Sequence, residues 1–239
     1  AYGIMVARGD LGVEIPAEKI PHIQKMIIKK AIEHKKPVIV ATQMLHSMIK
    51  NPRPTRAEIS DVAHAIYDGT DAIMLSGETA YGEYPIDAVK TMSSIISEIE
   101  STKEYHISNI QVTKPSIFLA KAAVEASFQL PIHYIILDTL TGKSARYIAA
   151  FRGKTIVLAQ CYNEQVMRQL ALSYGIYAHI AESRKTRSEY IVKLLQLLLK
   201  NNSISNNDLV VILGGHLGSE YSASFIEINT INNLLKSGY

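Results

Sequence analysis

Three short apolar runs, Gly3–Ala7, Val38–Ala41 and Ala72–Leu75, recur at one interval, with Ile4, Val38 and Ala72 standing 34 residues apart each time. Runs this short and this continuous, bounded by polar or turn residues, read as strands buried on both faces, the pattern of a parallel sheet. The interval is too long for hairpins and long enough for a helix in every crossover, so a βα unit with right-handed connections repeats along this stretch. The helix signals agree. Thr55-Arg56-Ala57-Glu58 forms a capping box ahead of Ile59–Tyr67, and Pro85 suits the first turn of a helix reaching Ile99.

Around 101–114 the periodicity disappears and the sequence turns polar, before Pro115 opens an apolar helix through Gln129. The expected division is a partial barrel domain over 1–100, a linker over 101–114 and an α/β domain over 115–239. In the last of these, Ile132–Leu137, Thr155–Ala159, Ile176–Ile180 and Leu209–Leu213 read as buried strands alternating with helices. A second capping box, Thr186-Arg187-Ser188-Glu189, introduces the helix Tyr190–Leu199. The last strand candidate, Ser224–Thr230, follows after a loop too short to hold a crossover helix, so it pairs antiparallel. The domain is expected to be an open α/β sheet of about five strands.

Composition narrows the class. At 239 residues the chain holds one large domain or two ordinary ones, and 47% hydrophobic with 20% charged residues excludes a disordered or fibrous protein. A formal net charge of +3 without a basic run gives no reason to propose nucleic acid or a membrane surface as partner. No stretch reaches the roughly 18 to 20 apolar residues of a membrane helix, and 1–10 lacks the features of a secretory signal. Cys161 is the only cysteine, so no intrachain disulfide forms, and the cytoplasm is the expected compartment. A start at Ala1, with strand-like residues at once, reads as a processed product or a fragment.

In parallel α/β folds ligands gather at the carboxyl ends of the strands. Here those ends are polar: Arg8-Gly9-Asp10, Thr42-Gln43 and Ser76-Gly77-Glu78-Thr79. Asp10 offers a hard oxygen ligand for Mg²⁺ or Mn²⁺, and Gly9 lets backbone N–H groups approach an anion. Plain capping and turn formation is the competing reading of any one of these ends. Arg8-Gly9-Asp10 also spells an adhesion tripeptide, which requires an exposed extracellular loop. The eight histidines are scattered, without the clustering of a structural zinc site, and Cys161, placed just after a strand, reads as a packing residue.

The stretches Gly3–Gly12, Pro37–Met44, Asn51–Glu58 and Ala72–Thr79 resemble the carboxyl-terminal part of pyruvate kinase, densely over residues 1–100 and more loosely beyond. The resemblance implies a fold made of the last three units of a (β/α)₈ TIM barrel followed by the family's α/β regulatory domain. It implies transfer of phosphoryl from phosphoenolpyruvate to ADP, giving pyruvate and ATP. Carried over by position, Asp10 is one of two carboxylates on the catalytic Mg²⁺ or Mn²⁺, the N–H groups of Gly9 and Asp10 hold the substrate carboxylate, and Thr42 lies beside the enolate. A hydroxyl has too high a pKa to act as sole acid, so Thr42 fits a water relay better than direct donation. Arg8, Ser76 and Glu78 are supporting residues of the rim. The second metal carboxylate, the phosphoryl-stabilising lysine and the K⁺ ligands belong to segments upstream of this sequence, so the 239-residue chain alone is expected to be inactive.

The loop Thr139-Leu140-Thr141-Gly142-Lys143-Ser144 sets hydroxyls, a glycine and a cation at a helix start, which serves a phosphate cradle or a plain capping loop. It is similar to the loop by which many members of the family bind a phosphorylated sugar effector, implying phosphate contacts from Thr139, Thr141, Gly142, Lys143 and Ser144. The late loop Gly214–Tyr221 has Glu220 and Tyr221 where the family usually has small hydroxylated residues. The cluster Met44, Met48 and Ile49 resembles a family subunit-contact region, while an apolar helix face explains it without a partner, and the resemblance to the family implies a homo-oligomer, a tetramer. Two further readings stay open: a non-catalytic regulatory and assembly fragment binding a phosphorylated effector, and a metal-dependent lyase or aldolase barrel acting on pyruvate enolate.

Overall fold

The computed structural model describes residues 1–181, 187–201, 203–215 and 223–236. The chain divides into two compact units, Ala1–Glu104 and Tyr105–Tyr239.

In the first unit, β1 (Ile4–Ala7), β2 (Val38–Ala41) and β3 (Ala72–Met74) form a parallel sheet in chain order. Ile4 pairs with Val38, and Ala41 faces both Ala7 and Met74, so all three strands end along one edge. The crossover from β1 to β2 carries α1 (Arg8–Glu14) and α2 (Ile20–Glu33); α3 (Arg56–Tyr67) lies between β2 and β3; α4 (Gly77–Ala80) and α5 (Pro85–Thr102) follow β3. The expected capping box forms: Glu58 N–H donates to Thr55 Oγ1 at 3.3 Å while Thr55 N–H donates to Glu58 Oε2 at 2.8 Å. Pro85 occupies the first turn of α5. At the amino ends of the strands, Thr70 Oγ1 donates to the carbonyls of Val38 and Ala72, and Asp71 accepts from Val38 N–H at 3.0 Å, which fixes the register of β2 against β3.

Val6, Ile28, Ala31, Val38, Val40 and Val62 build the core between sheet and helices. Met44, Leu45 and Met48 are fully buried, so within this unit they are packing residues. The expectation that all three strands are covered on both faces fails for the outer two. In β1 only Val6 is buried, with Ile4 and Met5 43% and 51% exposed, and β3 is half-buried throughout. Both are edge strands of a three-stranded sheet, each paired on one side only, by β2.

The second unit is a five-stranded sheet in the order β6-β5-β4-β7-β8. Its members are β4 (Ile132–Thr139), β5 (Val157–Cys161), β6 (Ile176–Ile180), β7 (Leu209–Gly214) and β8 (Phe225–Thr230). Four are parallel, and β8 runs antiparallel to β7, as the short connection requires. The helices are α6 (Pro115–Gln129), α7 (Lys143–Ala150), α8 (Glu164–Leu170), α9 (Arg187–Lys200) and α10 (Ile231–Lys236). Ile136, Leu158, Ile191, Leu195, Val210 and Ile212 form a buried cluster with Ile231 and Leu234. Each such side chain contributes roughly 1.5–3 kcal/mol of burial. Two boundaries differ from the sequence reading. β5 starts two residues later than Thr155 and runs through Cys161, which closes the strand rather than following it, and β4 extends to Thr139. Thr186, the N-cap of the second expected capping box, and residues 216–221 of the late loop lie outside the described residues.

Candidate functional site

Register alone brings the three polar strand ends together, because the strands are parallel and their last residues are paired. After β1 the chain turns directly into α1, so Arg8, Gly9 and Asp10 are its first turn rather than a loop. After β2 the backbone enters the left-handed region at two consecutive residues that are not glycine, Thr42 with φ 69° and Gln43 with φ 54°. For a β-branched residue this conformation is strained and persists only where its surroundings enforce it. The Gly9 N–H donates to Thr42 Oγ1 at 2.8 Å, joining the ends of β1 and β2 through two of the expected site residues.

Arg8 is buried and fully engaged on one side. Its Nε and Nη2 donate to the Thr42 carbonyl at 3.2 and 2.9 Å, Nη2 also donates to the Gln43 carbonyl at 2.8 Å, and Nη1 pairs with Asp61 Oδ2 at 2.7 Å. The adhesion reading of Arg8-Gly9-Asp10 is therefore excluded: the guanidinium is turned inward and the tripeptide begins a helix. Arg8 and Gln43 also line a cleft of about 510 Å³ between α2 and α3, with Gln24, Lys25, Asp61 and Asp68. Asp10, Thr42 and Ser76 are not among the residues lining this cleft, so it lies beside the strand ends rather than over them.

The end of β3 is tied in by Glu78. This carboxylate is 1% exposed and accepts from Leu45 N–H at 3.1 Å through Oε1 and from Ser76 N–H at 2.9 Å through Oε2, linking the loops after β2 and β3. Ser76 precedes α4, and its carbonyl accepts from Thr79 and Ala80. Asp10 differs from its neighbours. It is exposed, and its side chain has no hydrogen bond or ion pair among the described residues. No group of three or more His, Cys, Asp or Glu able to hold a metal occurs among the described residues. A hard divalent cation that keeps several waters needs only one or two protein carboxylates, so Asp10 fits as one oxygen donor to a site that these residues do not complete.

In the second unit, Thr139 ends β4 as a buried residue, and its Oγ1 accepts from Gly142 N–H at 3.0 Å. Gly142 takes the left-handed conformation, φ 72°, as the N-cap of α7. Thr141 is exposed, its carbonyl accepts from Arg146 Nη1 at 3.2 Å, and the Lys143 ammonium stands 6.0 Å from the centre of the Tyr147 ring. The loop is thus shaped from within by Thr139 and Gly142, leaving Thr141, Lys143 and Ser144 at the helix start. Cys161 is buried, and burial pushes its thiol pKa up to about 11, which keeps it protonated and inert at neutral pH.

Sequence reasoning missed Asp61 and Leu45 as members of the first site. Asp61 lies 53 positions from Arg8 on α3, and no local pattern announces the pair.

A family model described as "Pyruvate kinase, barrel domain" matches residues 1–89, and one described as "Pyruvate kinase, alpha/beta domain" matches residues 118–229. A pyruvate kinase of Borreliella burgdorferi is 45% identical over 243 positions, covering 99% of this chain and 51% of that protein. One from Geobacillus stearothermophilus is 44% identical over 244 positions, covering 100% of this chain and 42% of that protein. Among solved structures, the crystal structure of a pyruvate kinase from Cryptosporidium parvum superposes with a TM-score of 0.88 at 37% identity, covering 97% of this chain and 47% of that one. The chain spans about half the length of the relatives it matches.

Proposed function

Because the chain belongs to the pyruvate kinase family, we propose that its strand ends serve phosphoryl transfer from phosphoenolpyruvate to ADP in the full-length enzyme, giving pyruvate and ATP. The observation that supports this most directly is the Gly9–Thr42 contact, which sets a backbone N–H and a hydroxyl side by side at the end of adjacent parallel strands. The N–H groups of Gly9 and Asp10 hold the substrate carboxylate. Gly9 N–H donates to Thr42 Oγ1 at 2.8 Å, so the hydroxyl stands at the acceptor position that the carboxylate takes on binding.

Asp10 is the residue of this chain that would hold Mg²⁺ or Mn²⁺. Such an ion, when bound, neutralises charge as phosphoryl moves from the enol oxygen to the terminal oxygen of ADP. Transfer leaves the enolate of pyruvate, which takes a proton at carbon. Thr42 orients the water that delivers it, since an alcohol is too weak an acid to act alone. Arg8, Ser76 and Glu78 hold the loops. The remaining metal carboxylate, the phosphoryl-stabilising lysine and the K⁺ ligands come from family segments outside these 239 residues. The enzyme works in the cytoplasm as a homo-oligomer. Among the described residues no helix is long and apolar enough to cross a membrane.

In the full-length enzyme, Asp10→Asn should lower ATP formation by roughly 10³-fold or more, because phosphoryl transfer depends on positioned charge. It should also weaken Mn²⁺ binding followed by electron paramagnetic resonance. Unchanged turnover and unchanged Mn²⁺ affinity would remove Asp10 from the site.

The α7 loop is the proposed phosphate site for a sugar-phosphate effector, with Thr141, Lys143 and Ser144 as donors, the Gly142 N-cap at the helix start, and Thr139 shaping the turn. The preformed left-handed Gly142 supports this reading, since it shapes the turn before any ligand arrives. A sugar monophosphate at millimolar concentration should slow amide hydrogen exchange over 139–144, whereas an identical exchange pattern with and without it would leave the loop as a helix cap.

A further inference from the structure

The turn after β2 raises a physical question that its two neighbouring strands do not answer. Thr42 and Gln43 both carry left-handed backbone without being glycine. Such a pair relaxes unless something holds it. Gly9 N–H on Thr42 Oγ1 anchors the first residue from the end of β1, and among the described residues one side chain spans both. The planar guanidinium of Arg8 spans both carbonyls of the strained pair, with Nε and Nη2 on Thr42 O and Nη2 on Gln43 O, while Asp61 on α3 fixes its far end through Nη1.

We infer that Arg8 is a positioning residue for Thr42: it holds the Thr42–Gln43 turn in the left-handed form that fixes where the Thr42 hydroxyl stands, and Asp61 sets the plane of the guanidinium. The donor inventory supports this over a direct role in binding an anion. Of the five N–H groups of an arginine, the one on Nε and both on Nη2 go to the two carbonyls, and one on Nη1 goes to Asp61. A single N–H remains, beside a carboxylate, which is no clamp for phosphate. The side chain is also only 9% exposed. A lysine cannot reproduce the arrangement, because a single ammonium nitrogen does not span two successive carbonyls and a carboxylate in one plane. The inference rests on the proposed role of Thr42 beside the enolate.

The test is a double-mutant cycle in the full-length enzyme, with Arg8→Lys, Thr42→Ala and the pair. Each is read by kcat and KM for phosphoenolpyruvate and by solvent-deuterium incorporation into the methyl group of pyruvate. Arg8→Lys is expected to lower kcat by about 10²-fold, the usual effect of misplacing a reacting group by about an ångström, with KM unchanged and methyl exchange falling in proportion. The double variant should be no slower than Thr42→Ala, since Arg8 acts through Thr42. Amide exchange at 43–45 should speed up in Arg8→Lys without change elsewhere. Should Arg8→Lys fail to fold, Asp61→Asn, which keeps an acceptor for Nη1, is expected to give a smaller loss with the same non-additivity. Multiplying defects in the double variant, or an Arg8→Lys enzyme with full kcat and full methyl exchange, would overturn the inference. If instead Thr42→Ala itself leaves both rates intact, the role of Thr42 falls, and this inference with it.

Discussion

Glu58 accepts four hydrogen bonds: from Ser47 N–H and Oγ at 2.7 and 2.6 Å, and from Thr55 N–H and Oγ1 at 2.8 and 3.0 Å. Partial burial pushes its carboxyl up, but the donors from Ser47 and Thr55 together outweigh burial and hold the pKa below its ordinary value of 4.5. A carboxylate with a lowered native pKa contributes stability that is complete above the ordinary value and is lost as the pH falls through the native one. Glu58→Ala is therefore expected to cost about 1 kcal/mol at neutral pH, the usual loss on removing a helix cap. It should also flatten the decline in stability below about pH 5. Urea unfolding across that range checks both, and parallel curves for the two proteins would show that Glu58 carries no acid sensitivity. Half of this cluster is legible in four consecutive letters. The other half is not, because Ser47 meets Glu58 only once the loop after β2 folds back over the start of α3.

At the scale of elements, α3, which begins with a capping box, and α5 and α6, which begin with a proline, are legible because their start signals are local. α1 is not. It follows β1 with Ala7 as a non-capping N-cap and contains Gly9 and Gly12, residues of poor helix propensity. Tertiary contacts hold its first turn: the Arg8 side chain in the turn after β2, and Gly9 N–H on Thr42. The opposite case is the start of α7, where Gly142 meets a local demand for left-handed backbone. A Cβ there would lie 2.9 Å from Arg146 Nη1 and 3.1 Å from Leu170 Cδ2, so Gly142→Ala combines backbone strain with a close contact. We expect a loss of about 1–2 kcal/mol, seen as a lower thermal midpoint. A midpoint equal to that of the parent would mean that the loop relaxes without cost. Thr139 was legible as a hydroxyl near this loop but not as the last residue of β4, since nothing in its letter distinguishes a strand end from a loop start.

For the molecule as a whole, three parallel strands cannot close a barrel, and the exposed Ile4 and Met5 on β1 mark a sheet edge with an uncovered apolar surface. A polypeptide of only these 239 residues is expected to form no ATP from phosphoenolpyruvate and ADP above the level of buffer. A coupled assay at high enzyme concentration tests this, and turnover comparable to a full-length relative would contradict it. The amino-acid sequence by itself determined the repeat of βα units, the antiparallel last strand, and the gathering of polar residues at strand ends, because periodicity, connection length and capping are properties of neighbouring residues. Tertiary structure alone decided which of those residues touch. Arg8 pairs with Asp61, Glu78 accepts from Leu45 N–H and Thr42 is bent into a strained turn, and each of these depends on strand register and helix packing that bring distant positions within 3 Å or so of one another.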